Sequence, residues 1–563
     1  MKLTGAQILM KVLMEESVDT IFGYPGGALI DIYDELVKTE IRHILVRHEQ
    51  GAVHAADGYA RATGKVGVCL ATSGPGATNT VTGIATAHMD SIPLVVLTGQ
   101  VPSHLIGNDA FQEVDIVGIT RPCTKHNYLV SCIEELSMIL KEAFHIARSG
   151  RPGPVLVDIP KNVSAVKTEY VPGGKVKLKS YNPTYEPNLK QLEKVIQLIK
   201  EAERPMIFAG GGVILSNGSS DLIEFAKKTQ MPVTMSLMGL GAFPGNDPLS
   251  LGMLGMHGTY RANMCSGACD LFIGIGVRFD DRVTGKTDSF AAQAKIVHID
   301  IDPTSIRKNV IVAVPVVGDC RISLNHINHL LNKEDLGDLS SRRRPWLERI
   351  EEWRRSHKLA YRQDMDGDIK PQFVIEQLHQ LTNGKAIITT EVGQNQMWTA
   401  QYYLFEKPRH FITSGGLGTM GFGLPAAIGA QAAFPDKLVI DVAGDGSIQM
   451  NIQEMATAVQ HGLPVKVVII NNGYLGMVRQ WQELFYGKRY AHTCMNCTPD
   501  FVKLAEAFGA KGFRAKKPQE VKTVLQEGLK ASGPVIMDFL VAKEECVYPM
   551  VPAGAPITEM LLA

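Results

Sequence analysis

A carboxylate and a side-chain amide stand just after two short apolar runs in the last third of the chain. Asp445 lies between Gly444 and Gly446, after LVIDVA, and Asn472 follows VKVVII. Two hard oxygen ligands of this kind suit Mg²⁺ that carries a diphosphate. The flanking glycines let the backbone approach phosphate oxygens closely. The pattern therefore predicts a site for a metal ion and a diphosphate.

The elements that position these residues form one strand–helix–strand unit. Both apolar runs are rich in β-branched residues, which is typical of buried parallel strands. Between them an amphipathic helical pattern runs from Ile452 to Val459 and ends at the Gly-Leu-Pro of 462–464. Ligands of an open α/β sheet bind at the carboxyl ends of its strands. We expect a helix to begin just after Ser447, so that its N-terminal end favours the diphosphate.

The same alternation of strand and helix patterns fills the rest of the chain and predicts an α/β fold. Three doubly wound parallel-sheet domains are expected, at 1–180, 190–340 and 365–563. The Pro-, Gly- and Asn-containing stretch at 170–190 is interpreted as a linker. The charged stretch at 342–358 is interpreted as a helix with a solvated face. The C-terminal tail is expected to be extended, and either to fray or to close over another element.

Composition and charge exclude several classes of protein. The chain has 563 residues, 45% hydrophobic and 20% charged, as in globular proteins. Lys plus Arg and Asp plus Glu each number 57, so no basic field would attract nucleic acid or anionic lipid. We find no membrane-spanning apolar run, and the N-terminus is amphipathic rather than a signal peptide. The nine scattered cysteines fit a reduced, cytoplasmic protein.

Two other motifs offer alternative chemistry. Cys494 and Cys497 form a CxxC, but neither a His nor a second cysteine pair stands near them at zinc-finger spacing. The GxGxxG at 416–421 matches a dinucleotide fingerprint, with Asp441 about 20 residues beyond it. Asp441, however, falls inside the LVIDVA strand rather than at its end. We therefore favour the metal and diphosphate site over a zinc, redox or NAD site.

A series of longer motifs follows in order: GYPGGALIDIYD, RHEQGAVHAADGYARATGKVGV, SGPGATN, MLGMHGT, GVRFDDRVTG, GLGTMGFGLPAAIGA, GDGSIQMN, NNGYLGMVRQWQ and VYPMVPAGAP. This order resembles that of the thiamine diphosphate-dependent 2-keto acid enzymes, and most closely the acetohydroxyacid synthase (acetolactate synthase) large-subunit family. The resemblance runs essentially from end to end. Most of these motifs are weak alone, but the ordered set is highly specific.

The resemblance implies a thiamine diphosphate site. Glu49, in RHEQ, would bind N1′ of the aminopyrimidine and favour the imino tautomer, whose nitrogen removes the C2 proton. Met420 would hold the cofactor in its bent shape, and Asp445, Asn472 and the Tyr474 carbonyl would hold Mg²⁺. Some relatives carry His where this chain has Asn395. Further cofactor contacts are implied for Gln394, Asn395, Gly415, Gly416, Gly444, Gly446 and Ser447.

The resemblance also implies an FAD site in the central domain and a substrate entrance. In this family FAD has no redox role in the reaction. Arg282 would bind a 2-keto acid carboxylate, and Trp481 would narrow the acceptor pocket in favour of an ethyl group. Gln112, Phe111 and Lys161 line the same entrance in relatives. The implied FAD contacts are Arg151, Gly211, Ser236, Leu237, Met256, His257, Gly276, Arg278, Asp300, Ile301 and Asp319.

The implied activity is that of an acetolactate synthase. Pyruvate would be decarboxylated on thiamine diphosphate and its hydroxyethyl unit transferred to a second 2-keto acid, in valine, leucine and isoleucine biosynthesis. Because Glu49 and Asp445 of different chains meet in the family, at least a homodimer is expected, and a small regulatory subunit is implied. The alternatives are a pyruvate oxidase, a glyoxylate carboligase, a simple decarboxylase or a non-catalytic paralogue. Glu49 argues against the carboligase, and RFDDRVTG favours the biosynthetic, FAD-containing type.

Overall fold

The computed structural model describes residues 1–172, 174, 176–495, 497 and 499–562. Its strands form three six-stranded parallel sheets and a small antiparallel pair. Strands near the sheet centres are buried along their whole length, because helices flank the sheets. The predicted α/β class with three parallel-sheet domains is confirmed. The bounds 1–180, 190–340 and 365–563 stay our proposal for where each domain begins and ends.

The first sheet is built by the N-terminal part of the chain. The strands of this part are β1 Lys2–Thr4, β2 Thr20–Tyr24, β3 Arg42–Leu45, β4 Gly67–Ala71, β5 Leu94–Gln100, β6 His126–Leu129, β7 Pro154–Pro160 and β8 Lys167–Glu169. β1 and β8 form the small antiparallel pair, and the other six form the sheet. The helices are α1 Gly5–Glu15, α2 Ile30–Leu36, α3 Glu49–Thr63, α4 Pro75–Thr78, α5 Val81–Asp90, α6 Ile116–Thr120, α7 Ile133–Arg148 and α8 Lys161–Ala165. The sheet order is β3-β2-β4-β5-β7-β6, so the winding reverses between β2 and β4.

The central sheet has the same kind of reversal. Its strands are β9 Pro205–Ala209, β10 Val233–Met235, β11 Ser250–Met253, β12 Leu271–Ile275, β13 Lys295–Asp300 and β14 Val314–Val317. The helices are α9 Leu189–Glu201, α10 Gly211–Leu215, α11 Ser219–Thr229, α12 Tyr260–Ala268, α13 Asp281–Thr284, α14 Cys320–Leu331 and α15 Leu339–Ser356. The order β11-β10-β9-β12-β13-β14 reverses between β9 and β12.

The third sheet follows. Its strands are β15 Ile387–Thr390, β16 Phe411–Thr413, β17 Val439–Gly444, β18 Lys466–Asn471, β19 Lys511–Ala515 and β20 Val535–Leu540. The helices are α16 Pro371–Thr382, α17 Gln394–Tyr402, α18 Gly423–Ala433, α19 Glu454–Gln460, α20 Gly476–Phe485, α21 Phe501–Ala507 and α22 Pro518–Lys530. The order β16-β15-β17-β18-β20-β19 reverses between β15 and β17. Crevices for ligands open at such reversals.

The expected helix directly after Ser447 is wrong. A 3-10 turn over Ile448–Met450 follows instead, and α19 begins only at Glu454. The polar side chains of this stretch bind backbone carbonyls. Asn451 donates to the Gly421 carbonyl at 2.6 Å, and Gln449 donates to the Asp445 carbonyl at 2.8 Å. A diphosphate beside Asp445 would therefore meet the N–H groups of a turn rather than a helix N-terminus.

The charged helix α15 is less solvated than its sequence indicates. Arg343 is fully buried and donates to the Ile199 carbonyl at 2.8 Å. Trp346, also buried, donates to the Pro205 carbonyl at 3.1 Å. The other charged residues keep the expected outer face, so the helix is amphipathic and packs against the central domain through its tryptophans.

The first and third domains pack through α3 and α18. A Cβ placed on Gly58 would lie 2.2 Å from the Ala426 carbonyl oxygen, and one on Gly429 would lie 1.9 Å from that of Ala55. Glycine is needed at both positions, because any side chain would push the helices apart. The close crossing fixes the N-terminus of α3, where Glu49 lies, relative to the third domain.

The C-terminal tail closes over the central and third domains. Val551 donates its backbone N–H to the Met256 carbonyl at 2.8 Å, and Ala542 donates to that of Ile369 at 2.8 Å. Gly285 and Pro556 form an isolated antiparallel bridge. Of the two expected behaviours, the tail therefore shows the closing one.

Candidate active site

One large cavity holds most of the predicted site residues. Its volume is about 1110 Å³, and it lies where the reversals of the central and third sheets face each other. Every predicted cofactor contact except Glu49 lines it, together with Arg282 and Trp481. The cavity is slightly larger than a typical small-molecule pocket of about 300–1,000 Å³. It therefore has room for long, cofactor-sized ligands.

Asp445 and Asn472 stand together at one end of the cavity, after β17 and β18. The Asp445 residue is 1% exposed, and its Oδ2 has no hydrogen-bond partner. Burial raises the pKa of Asp445 to about 7, although nearby backbone N–H groups, among them that of Asn472, act in the opposite direction. A buried, unpartnered carboxylate oxygen beside a side-chain amide fits a divalent cation as the missing partner.

The walls next to this pair come from α17 and the turn after β17. Asn395 donates its side-chain N–H groups to the carbonyls of Glu391 at 3.1 Å and Val442 at 2.8 Å. The amide oxygen Oδ1 is the side-chain atom that these two bonds do not use. The Ser447 hydroxyl accepts from the Gly444 N–H at 3.2 Å and caps the turn around Asp445. These bonds hold the predicted diphosphate contacts in fixed positions.

The loop between β16 and α18 carries Met420, Gly415 and Gly416, and Asp90 of the first domain holds it. Asp90 accepts the N–H of Gly416 at 2.7 Å and that of Gly415 at 3.1 Å. It also accepts from the buried Arg61 guanidinium at 2.9 Å. Both glycine N–H groups are thus already engaged. Any cofactor contact of these glycines would have to use a carbonyl or Cα.

Glu391 holds the other end of the same loop. Its carboxylate accepts the N–H of Gly421 at 2.6 Å and that of Leu424 at 3.2 Å. Asp441, the acid of the GxGxxG pattern, lies next to it, fully buried, and accepts from the Thr389 hydroxyl at 3.2 Å. Burial raises the pKa of both carboxyls. Asp441 does not line the cavity, which argues against a dinucleotide ribose there.

The flavin half of the cavity is built on glycine and acidic residues. Gly276 has φ +61°, and a Cβ there would lie 2.7 Å from the Gly212 Cα, so the two turns touch backbone to backbone. Arg151 donates to Ser91 at 2.8 Å and to Asp302 at 3.0 Å. Burial raises the pKa of Asp300 to about 7. The remaining predicted flavin contacts also line this half.

The mouth of the cavity carries the two predicted substrate residues. Arg282 is exposed, and its Nη1 lies 3.7 Å from the Met256 sulfur. The Trp481 ring packs edge-on against Phe485, with centroids 5.5 Å apart. His257 is buried beside them, its Nδ1 lies 3.3 Å from the Pro549 carbonyl oxygen, and burial lowers its pKa to about 4. The Arg282 guanidinium faces solvent, and its Nε lies 3.8 Å from a carboxylate oxygen of the exposed Asp281.

Glu49 lies outside this cavity. It is the first residue of α3, 9% exposed, and its Oε2 accepts from the Asn79 amide at 3.0 Å. A Cβ on Gly76 would lie 3.2 Å from its Oε1, so the small residue leaves room for the carboxylate. A single chain therefore does not bring Glu49 to Asp445.

The other first-domain residues lie at the same edge as Glu49. Gln112 has φ +60°, and a Cβ on Gly74 would lie 2.8 Å from its carbonyl oxygen. Phe111 is 89% exposed, and Lys161 begins α8 at the end of β7. None of the three lines the cavity of its own chain. The first domain thus presents a separate group of polar and aromatic side chains.

Three residues that sequence reasoning missed hold the site together: Asp90, Glu391 and Asn79. Glu391 stands at the end of a strand, beside the predicted contacts at 394 and 395, and that position could have drawn attention to it. Asp90 gave no signal, since it ends a helix in another domain. In the described part of the chain no cluster of three His, Cys, Asp or Glu could hold a metal. Cys494 and Cys497 are both exposed.

Comparison with known families first defines the class. The N-terminal TPP binding domain of the thiamine pyrophosphate enzymes matches residues 3–119. The central domain of these enzymes matches residues 192–327, and their C-terminal TPP binding domain matches residues 391–539. The three matches stand in order, and each covers most strands of one of the three sheets. The fold and site are those of a thiamine pyrophosphate (thiamine diphosphate) enzyme.

Curated relatives narrow the class further. The chain is 51% identical over 567 residues to the acetolactate synthase isozyme 3 large subunit of Escherichia coli, covering 100% of this chain and 99% of that protein. It is 50% identical to the acetolactate synthase large subunit of Haemophilus influenzae, covering 100% and 98%. It is 48% identical to the acetolactate synthase of Mycobacterium bovis, covering 100% and 92%. The chain belongs to the acetolactate synthase large-subunit family, as its motifs predict.

Within the described residues, none of the helices is both long and apolar enough to cross a membrane.

Proposed function

We propose that the protein is an acetolactate synthase, which decarboxylates pyruvate and transfers the two-carbon unit to a second 2-keto acid. With pyruvate as acceptor the product is 2-acetolactate, and with 2-ketobutyrate it is 2-aceto-2-hydroxybutyrate. These products belong to valine, leucine and isoleucine biosynthesis. About 50% identity to acetolactate synthases along the whole chain supports this activity. The unpartnered Asp445 oxygen inside a cofactor-sized cavity is the observation that carries it.

Mg²⁺ would be held by Asp445 Oδ2, Asn472 Oδ1 and the Tyr474 carbonyl. Carboxylate, amide and carbonyl oxygens are the hard ligands that this ion prefers, and its remaining positions suit diphosphate oxygens and water. Burial of Asp445 supports the proposal, because a buried carboxylate is stabilised as the anion when a cation is beside it.

Thiamine diphosphate would lie along the third sheet's edge. When bound, it supplies the electron sink that makes loss of CO₂ from a 2-keto acid feasible. Gly444, Gly446 and Ser447 would surround its diphosphate end. Gln394 and Asn395 would lie beside it, with their side-chain N–H groups engaged by other protein groups. Met420, on the loop that Asp90 and Glu391 hold, would lie under its centre. The buried walls would exclude water from the reacting carbon.

Glu49 would bind the aminopyrimidine N1′ and keep a proton there. Its carboxylate is fixed by Asn79 and has space beside Gly76. Because Glu49 does not reach the cavity of its own chain, we propose that the site is completed by a second copy, in a homodimer or larger assembly. Gln112, Phe111 and Lys161 would then enter the same centre from the second copy.

FAD would occupy the central half of the cavity. Gly211, Gly212 and Gly276 line this half and would lie beside a diphosphate, and Asp300 and Asp319 offer acceptors for hydroxyl or amine groups. Arg278 supplies a positive charge at the same end. We propose that this flavin has a structural role and does not take electrons from pyruvate.

The second keto acid would enter at the mouth. The exposed Arg282 guanidinium can bind a carboxylate through two N–H groups, and Trp481 limits the width beside it. A small regulatory partner is supported by the name "large subunit" that the relatives carry. A reducing compartment such as the cytoplasm is supported by the nine cysteines, which are scattered along the chain and odd in number.

Product analysis tests the activity. The purified protein is supplied with pyruvate, Mg²⁺, thiamine diphosphate and FAD, and acetolactate, acetaldehyde and hydrogen peroxide are quantified. Acetolactate as the main product is expected. Acetaldehyde as the main product would indicate a simple decarboxylase, and peroxide with acetate would indicate an oxidase. Asp445→Asn is expected to abolish acetolactate, since the metal loses its charged ligand.

A further inference from the structure

Three side-chain amides form a buried chain from the C-terminal tail to Asn472. Gln480 on α20 is 0% exposed, Gln394 at the start of α17 is 4% exposed, and Asn472 after β18 is 5% exposed. Gln394 Nε2 donates to Gln480 Oε1 at 2.9 Å, and Asn472 Nδ2 donates to Gln394 Oε1 at 3.1 Å. The amides therefore connect head to tail, with every link out of contact with solvent.

Backbone groups fix which way each amide points. Gln480 Nε2 donates to the Val547 carbonyl at 3.1 Å, while its Oε1 accepts the Val547 N–H at 2.8 Å. Gln394 Nε2 also donates to the Glu545 carbonyl at 3.0 Å. A backbone N–H only donates and a C=O only accepts, so neither amide can be reversed without opposing like groups. Each such mismatch leaves a buried polar group unsatisfied.

The far end of the chain is the proposed metal ligand. With Nδ2 committed to Gln394, Asn472 has only Oδ1 to present, and this atom also accepts the Tyr474 N–H at 3.0 Å. An amide oxygen has a second lone pair for a cation, whereas an amide NH₂ has none. The orientation of Asn472 is thus held from both of its ends.

We propose that Gln480 is a positioning residue for the metal site: through Gln394 it holds Asn472 with Oδ1 toward the cation beside Asp445. Gln480 does not line the cavity, whereas its neighbour Trp481 does. Adjacent residues of α20 would thus serve the metal and the substrate mouth from different faces of the helix. The inference rests on the proposed Mg²⁺ site, and it makes the tail at 545–547 part of that site's support.

Metal affinity of Gln480→Met tests this role. Mn²⁺, used as the probe in place of Mg²⁺, is titrated into the full-length protein with saturating thiamine diphosphate, and free Mn²⁺ is followed by electron paramagnetic resonance. Loss of a residue that orients a metal ligand weakens binding by about 10–100-fold, so a rise in Kd of at least about tenfold is expected. Acetolactate formation should recover toward the wild-type kcat at high metal concentration.

Gln401→Met is the matched control. Gln401 is buried on α17 and donates to the His257 carbonyl at 3.0 Å and to the Tyr548 carbonyl at 3.2 Å, next to the residue that Gln480 binds, but none of these bonds involves the amide chain. The Gln401→Met variant should loosen the same tail and leave the Mn²⁺ Kd near the wild-type value. If Gln401→Met lost as much Mn²⁺ affinity as Gln480→Met, the tail would matter only for packing, and the inference would be overturned.

Gln480→Glu covers the case in which Gln480→Met does not fold. Burial favours the protonated form of a glutamate at this position, which keeps the oxygen that faces Gln394 and the Val547 N–H, can donate its O–H to the Val547 carbonyl, and loses the bond to the Met550 sulfur. The Kd of Gln480→Glu should stay within about threefold of wild type. A tenfold loss in Gln480→Glu, or wild-type affinity in a folded Gln480→Met, would overturn the inference while the proposed function stands. If the wild-type protein itself bound no Mn²⁺ with thiamine diphosphate present, the proposed metal site would fall as well.

Discussion

Glu454 Oε1 accepts the backbone N–H of His48 at 3.0 Å, directly before Glu49 in the chain. The same carboxylate accepts the Arg47 N–H at 3.0 Å and the Thr457 hydroxyl at 2.6 Å. Glu454 begins α19, the helix that follows the Asp445 turn. The third domain thus holds the N-terminus of α3, and with it the position of Glu49.

The pH dependence of stability should change in Glu454→Gln. Burial raises the pKa of Glu454 from 4.5 to about 7. Because this pKa is higher in the folded than in the unfolded protein, protonated Glu454 stabilises the fold. Its contribution is complete below about pH 4.5 and is lost as the pH rises through about 7. The loss is worth roughly 3 kcal/mol. Glutamine mimics the protonated acid, so the variant should gain in Tm relative to wild type between pH 5 and pH 8.

Thermal unfolding followed by circular dichroism at several pH values checks this prediction. The exposed Glu40→Gln is the control, and its Tm difference from wild type should not vary with pH. If the Tm difference between Glu454→Gln and wild type also did not vary with pH, Glu454 would already be ionised at pH 5 in the folded protein.

Asp90→Asn should weaken both the fold and the cofactor loop. The new NH₂ would face the donors of Arg61 or Gly415, and Arg61 would keep only Asp57 as a full ionic partner. Breaking a buried ion pair costs about 3–5 kcal/mol. A Tm lower by several degrees and loss of bound flavin during gel filtration are expected. Asp34→Asn removes an exposed ion pair with Lys38 and should change neither the Tm nor the amount of flavin retained.

Glu49→Gln should slow exchange of the thiamine C2 proton while cofactor binding is kept. An amide cannot hold the proton that the aminopyrimidine N1′ needs, and general acid–base assistance is worth about 10²–10⁴-fold in rate. Quenched-flow deuterium exchange read by NMR measures the step. Unchanged exchange in Glu49→Gln would remove Glu49 from this role, and the exposed Glu40→Gln supplies the reference value.

Trp481→Leu should lower the preference for 2-ketobutyrate over pyruvate as acceptor. A pocket that distinguishes one methylene group gives about 10–200-fold selectivity, so a loss of about tenfold is expected when the indole is removed. Both acceptors are supplied together and the two acetohydroxy acids are quantified. Tyr486→Leu, an exposed ring near the end of α20, should leave the ratio unchanged. An unaltered ratio in Trp481→Leu would place the specificity elsewhere.

Several buried strands were predicted from the sequence, whereas some short strands at sheet edges were not. LVIDVA and VKVVII are buried on both faces and read as strands, whereas HNYL, SLGM and VPVV lie at sheet edges. Edge strands are short and tolerate polar residues and proline, so their periodicity is weak. The turn after Asp445 was predicted as helix because the long-range bond from Asn451 to the Gly421 carbonyl leaves no trace in local patterning.

The site residues also fall into two groups, those that the sequence reveals and those that it does not. Residues at strand ends, such as Asp445 and Asn472, could be found from the motifs and lie together as predicted. Asp90 and Gln480 could not, because each acts through partners far away in the chain. The roles of the individual site residues remain predictions that the variants above address.

The proposed catalytic centre is made from Glu49 of one chain and Asp445 of another. Mixing two inactive variants tests this arrangement directly. Glu49→Gln and Asp445→Asn are unfolded mildly, mixed, reassembled and assayed for acetolactate, with subunit exchange verified by native mass spectrometry. Half of the dimers should be mixed, each with one intact centre, so about a quarter of wild-type activity should return. Mixing Glu49→Gln with Glu49→Ala should restore none. Mixed dimers of Glu49→Gln and Asp445→Asn that stay inactive would contradict a centre shared between chains.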